Sequence, residues 1–148
     1  MIDLRFATAL QMVLSVALAD RNGLRCSSRI LAESLATNPS FIRKLLVPLS
    51  RAGMIVTTIG KGGGLHLGRF SGEITLREIY QTVTAEKIFL SIRQYISCIC
   101  PIIRSMKKLF SGILENIEGA IYSILEKRPW VTACIGYFSL IERRIVEL

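Results

Sequence analysis

Met54-Ile55-Val56-Thr57-Thr58-Ile59, Gly60-Lys61-Gly62-Gly63-Gly64 and Leu65-His66-Leu67 place two short β-type runs on either side of a glycine tip. The first run is β-branched and reads as a strand, and the third reads as its returning partner. Glycine supplies the positive φ that such a tip needs and lets the backbone approach another group closely. Lys61 puts a charge at the apex, where it can meet an anion such as a phosphate.

Upstream, the hairpin is preceded by helix-type segments. Leu4 to Ala19 reads as a first helix, closed by the turn cluster Asp20-Arg21-Asn22-Gly23. Ser27 or Ser28 can cap a second helix that ends near Leu35, with Leu31 and Leu35 on its inner face. Asn38 is a suitable N-cap and Pro39 a suitable first residue for a third helix. Ile42, Leu45, Leu46 and Leu49 follow at core-facing spacing. Ser40, Phe41, Arg43, Lys44 and Arg51 fall mostly outside that stripe, and Gly53 ends the helix. Pro48 removes a hydrogen bond to Lys44, so a kink is expected there. Helix, turn, basic helix and glycine-tipped hairpin is the order of a winged helix-turn-helix.

Downstream, Thr75-Leu76-Arg77-Glu78 is a capping box, with Ile74 and Ile79 placed as a hydrophobic staple for a short helix to about Val83. Thr84 to Ser97 fits strand, helix or loop equally. Ile103, Met106, Phe110, Ile113, Ile117, Ala120 and Ile124 then step by three and four along a helix from about Ile102 to Glu126. Ile102, Leu109, Leu114, Ile121 and Leu125 widen the seam, and Lys127-Arg128-Pro129 stops it. A seam so wide can pack on its own domain and on a twin, which predicts a helix-mediated homodimer with Ile103, Met106, Phe110, Ile113, Ile117 and Ile124 at the contact. Val131 to Leu148, started by Trp130, reads as a final segment. The expected architecture is mostly α with a small β-hairpin wing: a winged helix-turn-helix domain over residues 1–84, then a linker and helical dimerisation region over 85–148.

Charge points to the partner. The chain of 148 residues carries a net +8, with a sequence pI near 9.7. Between Arg21 and Arg69, eight cationic side chains stand against Glu33 alone, so nearly all the excess lies in the helix-turn-helix and hairpin. That concentration favours double-stranded DNA. Ser27, Ser28, Ser40, Phe41, Arg43, Lys44, Arg51 and Lys61 are the candidate contacts: serine and arginine for base edges and phosphates, Phe41 for a thymine methyl, Lys61 for the backbone. A winged-helix module that contacts protein rather than DNA is the alternative, separated from the first by salt-dependent duplex binding.

Other classes fit poorly. The glycine run matches neither phosphate-loop pattern and joins strand to strand. His66 is the single histidine and lies on a wing strand, where a packing or solvated role is expected. No paired carboxylates share a motif, and Cys100 has no candidate base nearby, so no enzyme activity is expected. Arg5, the apolar run from Phe6, and Ala17-Leu18-Ala19 imitate a leader peptide. Asp3, and a polar stripe of Arg5, Thr8, Gln11 and Ser15, argue instead for a packed helix. No run of apolar residues is long enough to span a bilayer, so a cytoplasmic protein is expected. Mean hydropathy is +0.45, consistent with apolar surface covered by a second chain. Cys26, Cys98, Cys100 and Cys134 lack the spacing of a disulfide framework.

Asn38-Pro39-Ser40-Phe41-Ile42-Arg43-Lys44-Leu45-Leu46, Leu49-Ser50-Arg51-Ala52-Gly53-Met54-Ile55, the glycine wing and Ile74-Thr75-Leu76-Arg77-Glu78-Ile79 together resemble the Rrf-type (Rrf-two) family of bacterial winged-helix transcriptional regulators. The resemblance covers the whole chain. It implies a sequence-specific repressor that binds a pseudo-palindromic operator as a homodimer joined through its long C-terminal helix, with a small-molecule or redox effector left unidentified. Two departures stand out. Family members with a [2Fe–2S] cluster carry three cysteines before the dimer helix, whereas this chain has only Cys98 and Cys100 there, so no metal and no cofactor are expected. A thiol or Fe–S sensor using Cys98 and Cys100 is the alternative. Cluster-bearing members also often place an arginine just before the first wing glycine, where this chain has Ile59.

Overall fold

The computed structural model describes residues 4–60, 63–84 and 101–126. Three helices come first: α1 (Arg5–Arg21), α2 (Ser28–Ser34) and α3 (Pro39–Arg51). They are followed by β1 (Ile55–Thr57), β2 (Leu65–Leu67), a 3-10 turn over Ser71–Glu73, α4 (Leu76–Thr84) and α5 (Pro101–Glu126). The mostly helical, winged architecture expected from the sequence is the one observed.

The helices bury one side each. α1 turns Ala9, Met12, Val13 and Val16 inward, and α3 turns Ile42, Leu45 and Leu49 to meet them. Leu31 and Ala32 of α2, and Ile74, Leu76, Ile79 and Val83 around α4, complete a single apolar cluster. Gln11 lies exposed on the outer face of α1, while Arg5, Thr8 and Ser15 are half-buried. Full burial of aliphatic side chains of this size contributes about 1.5–3 kcal/mol each.

Chain reversals follow the same physics three times. After α1, α2 and α3 the backbone enters the left-handed region at Gly23 (φ 64), Ala36 (φ 47) and Gly53 (φ 68). In each case the next N–H reaches back five residues: Leu24 to Ala19, Thr37 to Ala32 and Met54 to Leu49, at 2.8–3.0 Å. These are Schellman caps, and two carry the expected glycine. The third, in the turn between α2 and α3, holds an alanine in a conformation that costs an L-residue about 1–2 kcal/mol. α3 continues through Pro48 to Arg51, and the Ala52 N–H donates to the Pro48 carbonyl.

β1 and β2 pair antiparallel in the register Ile55–Leu67, Val56–His66 and Thr57–Leu65. The first strand is shorter than the expected Met54–Ile59. Met54 is buried in the core cluster, while Thr58 bonds across to Gly64 at the base of the tip. The capping box is realised: Thr75 Oγ1 accepts from the Glu78 N–H at 3.1 Å, and Glu78 Oε2 accepts from the Thr75 N–H at 3.1 Å. Ile74 and Ile79 are fully buried as its staple. The 3-10 turn was not legible in the sequence. Residues 85–97, the region of mixed signals, lie outside the described residues, as do Trp130 and Val131 to Leu148.

Candidate nucleic-acid interface

Asn38 shapes the start of α3. Its side-chain oxygen accepts the Ser40 N–H at 2.8 Å, and Pro39 occupies the first helical position. The remaining free N–H groups leave partial positive charge at that end of the helix. Ser40, Arg43 and Lys44 stand exposed on the first two turns, and Arg51 is exposed at the last. Among the described residues none of Arg43, Lys44 and Arg51 forms an ion pair. Their charge is therefore available to an external anion.

Other candidates are partly committed to the fold. Phe41 is half-buried and packs against the core, so it offers an edge rather than a whole ring. Ser27 is the N-cap of α2, accepting the Ile30 N–H at 3.3 Å, and Ser28 is the first residue of that helix and half-buried. Lys61 lies outside the described residues. The basic stretch is also less free than a count of charges suggests. Arg29 pairs with Glu33 at 3.0 Å, and Arg69 reaches Glu78 at 3.3 Å through both terminal nitrogens.

The wing is attached to the helices by contacts that span nearly 50 residues of sequence. Arg25 Nε donates to the Gly63 carbonyl at 2.8 Å. The Leu65 N–H donates to the Cys26 carbonyl at 2.8 Å. A Cβ on Gly64 would sit 2.4 Å from that carbonyl oxygen, so only glycine permits the approach. Asp20, at the end of α1, completes the outer edge of β2. One carboxylate oxygen accepts the Leu67 N–H at 2.7 Å, and the other lies 2.7 Å from His66 Nδ1. His66 thus makes a polar contact with Asp20 from a half-exposed place on the wing strand. Asp20 and Arg25 carry no local signal of their wing contacts, because their partners are 47 and 38 positions away.

Cys26 is buried beside this junction, and burial, with the Asp20 carboxylate second, pushes its thiol above the ordinary range. It is therefore protonated at neutral pH and poorly suited to thiolate chemistry. Cys98, Cys100 and Cys134 lie outside the described residues.

α5 returns to α4 through its last turns. Tyr122 stacks edge-on to Tyr80 at 5.8 Å, Tyr80 does the same to Phe6 at 5.3 Å, and Arg77 bonds Glu126 at 2.9 Å. Leu125 packs on the core. On other positions of the helix Ile113, Ala120 and Ile124 are exposed, and Ile117 is half-buried. The side chains of Ile103, Met106 and Phe110 are outside the described set. Among the described residues no helix is long and apolar enough to cross a membrane.

A capped basic helix beside a braced two-stranded wing defines a winged helix-turn-helix protein of the transcription-regulator class. Residues 2–128 match the Rrf2 family model, described as iron-dependent transcriptional regulators. The chain belongs to that family. It is 23% identical over 128 residues to a Bacillus subtilis protein named as an HTH-type transcriptional regulator, YwnA, covering 86% of this chain and 92% of that one. Its fold is similar to CymR, the global cysteine regulator of B. subtilis, with TM-score 0.62, 16% identity, and coverage of 90% of this chain and 95% of that one. It is similar also to T. potens IscR, with TM-score 0.62, 17% identity, and coverage of 88% and 83%.

The family description names iron. Among the described residues no three His, Cys, Asp or Glu side chains form a group able to hold a metal ion. Cys26, the one described cysteine, has its thiol shifted away from the thiolate form that a cluster requires. The described residues do not fit an iron site.

Proposed function

We propose that this protein is a cytoplasmic repressor that binds duplex DNA as a homodimer on a pseudo-palindromic operator. The observation that carries the reading is the pair Arg43 and Lys44, exposed and without ion pairs among the described residues on the first turns of a capped α3. Ser40, Arg43 and Lys44 enter the major groove, with the Phe41 edge beside them. Ser27, Ser28, Arg51 and the wing residue Lys61 hold the phosphates. Residues 1–84 form the DNA-binding unit and 85–148 the dimerisation region. The exposed Ile113, Ala120 and Ile124 support a twin helix packed on α5. A small-molecule or redox effector acts on the dimer.

Titration of the purified protein with duplexes selected from a random pool, at several salt concentrations, tests the reading. Tight binding that weakens steeply with salt is expected. Binding no duplex better than nonspecific competitor would overturn it.

A further inference from the structure

α5 is 26 residues long, about 39 Å at 1.5 Å per residue, and its last turns carry Tyr122, Leu125 and Glu126, which tie it to α4 and the core. Arg77 of α4 makes two of these contacts at once. Its Nη1 donates to Glu126 Oε1 at 2.9 Å, and its guanidinium carbon lies 5.5 Å from the centre of the Tyr122 ring. The same ring packs edge-on against Tyr80, one turn further along α4. The neighbouring carboxylate on α4, Glu78, is engaged by Thr75 and Arg69, which leaves Arg77 to the carboxylate of α5. A planar guanidinium can pair with a carboxylate and lie over a ring together, a combination that suits arginine. Each contact is modest where water reaches it, and the Arg77 and Glu126 side chains are 38% and 65% exposed. Acting through one side chain, they grip the final turn of α5 on two sides.

We propose that Arg77 is a positioning residue whose grip on Tyr122 and Glu126 fixes how far apart the two α3 helices of the homodimer stand, and hence the half-site spacing that the operator must have. This rests on the DNA-binding homodimer reading above. Twin α5 helices packed together carry one winged unit each, so the angle between α4 and α5 sets where each unit sits. From Tyr122 back to Pro101 the helix is a lever of about 32 Å. A tilt of about 6° over that length is a displacement of about 3 Å, close to one base-pair step. Loosening the grip therefore blurs the spacing without touching any group on α3. Binding to a single half-site and its dependence on salt stay as they were.

The test uses the full-length protein, with Arg77→Met, Glu126→Gln and the two combined. Hydrogen exchange reads the grip without DNA: amides of residues 119–126 should exchange about threefold or more faster in each variant, and those of α3 at the wild-type rate. The double variant should be no worse than either single one, because both remove the same contact. Duplexes selected from a random pool are then remade with one base pair added or removed between half-sites. Wild type should bind these roughly tenfold more weakly than the parent, whereas the variants should bind all three within about threefold. A single half-site should be bound equally by wild type and variants, with the same salt slope. Should Arg77→Met fail to fold, Glu126→Gln, on an exposed carboxylate, carries the same test. If wild type binds its duplex but the variants keep the tenfold discrimination, or residues 119–126 exchange as in wild type, the positioning role is wrong and the DNA-binding reading stands. A wild type indifferent to spacing also overturns it. If wild type selects no duplex at all, both fall together.

Discussion

Replacing Asp20 with alanine should loosen the wing from a site that lies outside it. The carboxylate holds two partners, the Leu67 N–H and the His66 ring, each at 2.7 Å. A hydrogen bond to a charged group contributes a net of about 1.5–3 kcal/mol, and an amide left unpaired loses about 1–3 kcal/mol. The His66 side chain is 37% exposed and Asp20's is 28% exposed, so water can replace that partner and its share falls to under about 1 kcal/mol. Leu67 is half-buried on the outer strand edge, so its amide keeps part of its penalty. The expected loss is about 2 kcal/mol for Asp20→Ala. Asp20→Asn retains one acceptor oxygen for the amide and should lose less than about 1 kcal/mol. Urea unfolding gives the answer, run at one chain concentration because the stability of the proposed dimer depends on it. With an m-value of about 1–3 kcal/mol/M, the alanine midpoint should fall by roughly 0.7–2 M. A midpoint unchanged in Asp20→Ala would refute the edge-capping role. An asparagine variant as unstable as the alanine one would show that charge, rather than acceptance of the amide, is what matters.

The other expectations are separate measurements. Ile113→Asp with Ile117→Asp places carboxylates in the proposed α5 contact, and light scattering should show loss of the dimer mass; an unchanged dimer would move the contact elsewhere. Anaerobically purified protein should show no visible chromophore, and a brown protein with stoichiometric iron and sulfide would contradict this. Arg43→Ala should weaken the selected duplex by about 1–3 kcal/mol, whereas Lys61→Ala should weaken every duplex and lower the salt slope by about one. Neither effect would appear if α3 and the wing were not the binding surface. Because the folded Cys26 thiol titrates above its unfolded value, its share of stability is intact below about pH 8.5 and is lost as pH rises through the folded pKa. The alkaline fall in melting temperature should therefore be shallower in Cys26→Ala, and identical pH profiles would exclude that linkage.

Most of the fold was legible because its signals are local. Asn38-Pro39 fixes where α3 begins, Thr75 and Glu78 fix where α4 begins, and the glycine tip fixes the hairpin. Each depends on residues within four positions of one another, which a sequence displays directly. What escaped is what depends on distance in the chain. Asp20 looked like a member of a turn cluster because its amide partner is on β2. Arg25 and Arg69 looked like free charges because a count of cations does not show which of them meet a carbonyl or a carboxylate. Phe41 was assigned to the outer face by helical period, yet the core reaches far enough round α3 to take part of its ring.

Those same long-range contacts decide how separately the parts of the protein can behave. The turn that delivers α3 is strained at Ala36, while the wing is held by Asp20 at the end of α1 and by Arg25 and Cys26 just before α2. Helix and wing are therefore set by one short stretch of chain, and a shift at the end of α1 would move the wing directly. The other end of α1 carries Phe6, which meets Tyr80 and, through it, Tyr122 of α5. A rotation of α5 would disturb that ring stack and the Arg77–Glu126 pair before it disturbed anything on α3. α1 thus touches both the wing and the aromatic path to the proposed dimer helix, and α3 likewise touches β1 and α4. A change transmitted between the proposed dimer contact and the proposed DNA surface would have a continuous packed route along α1.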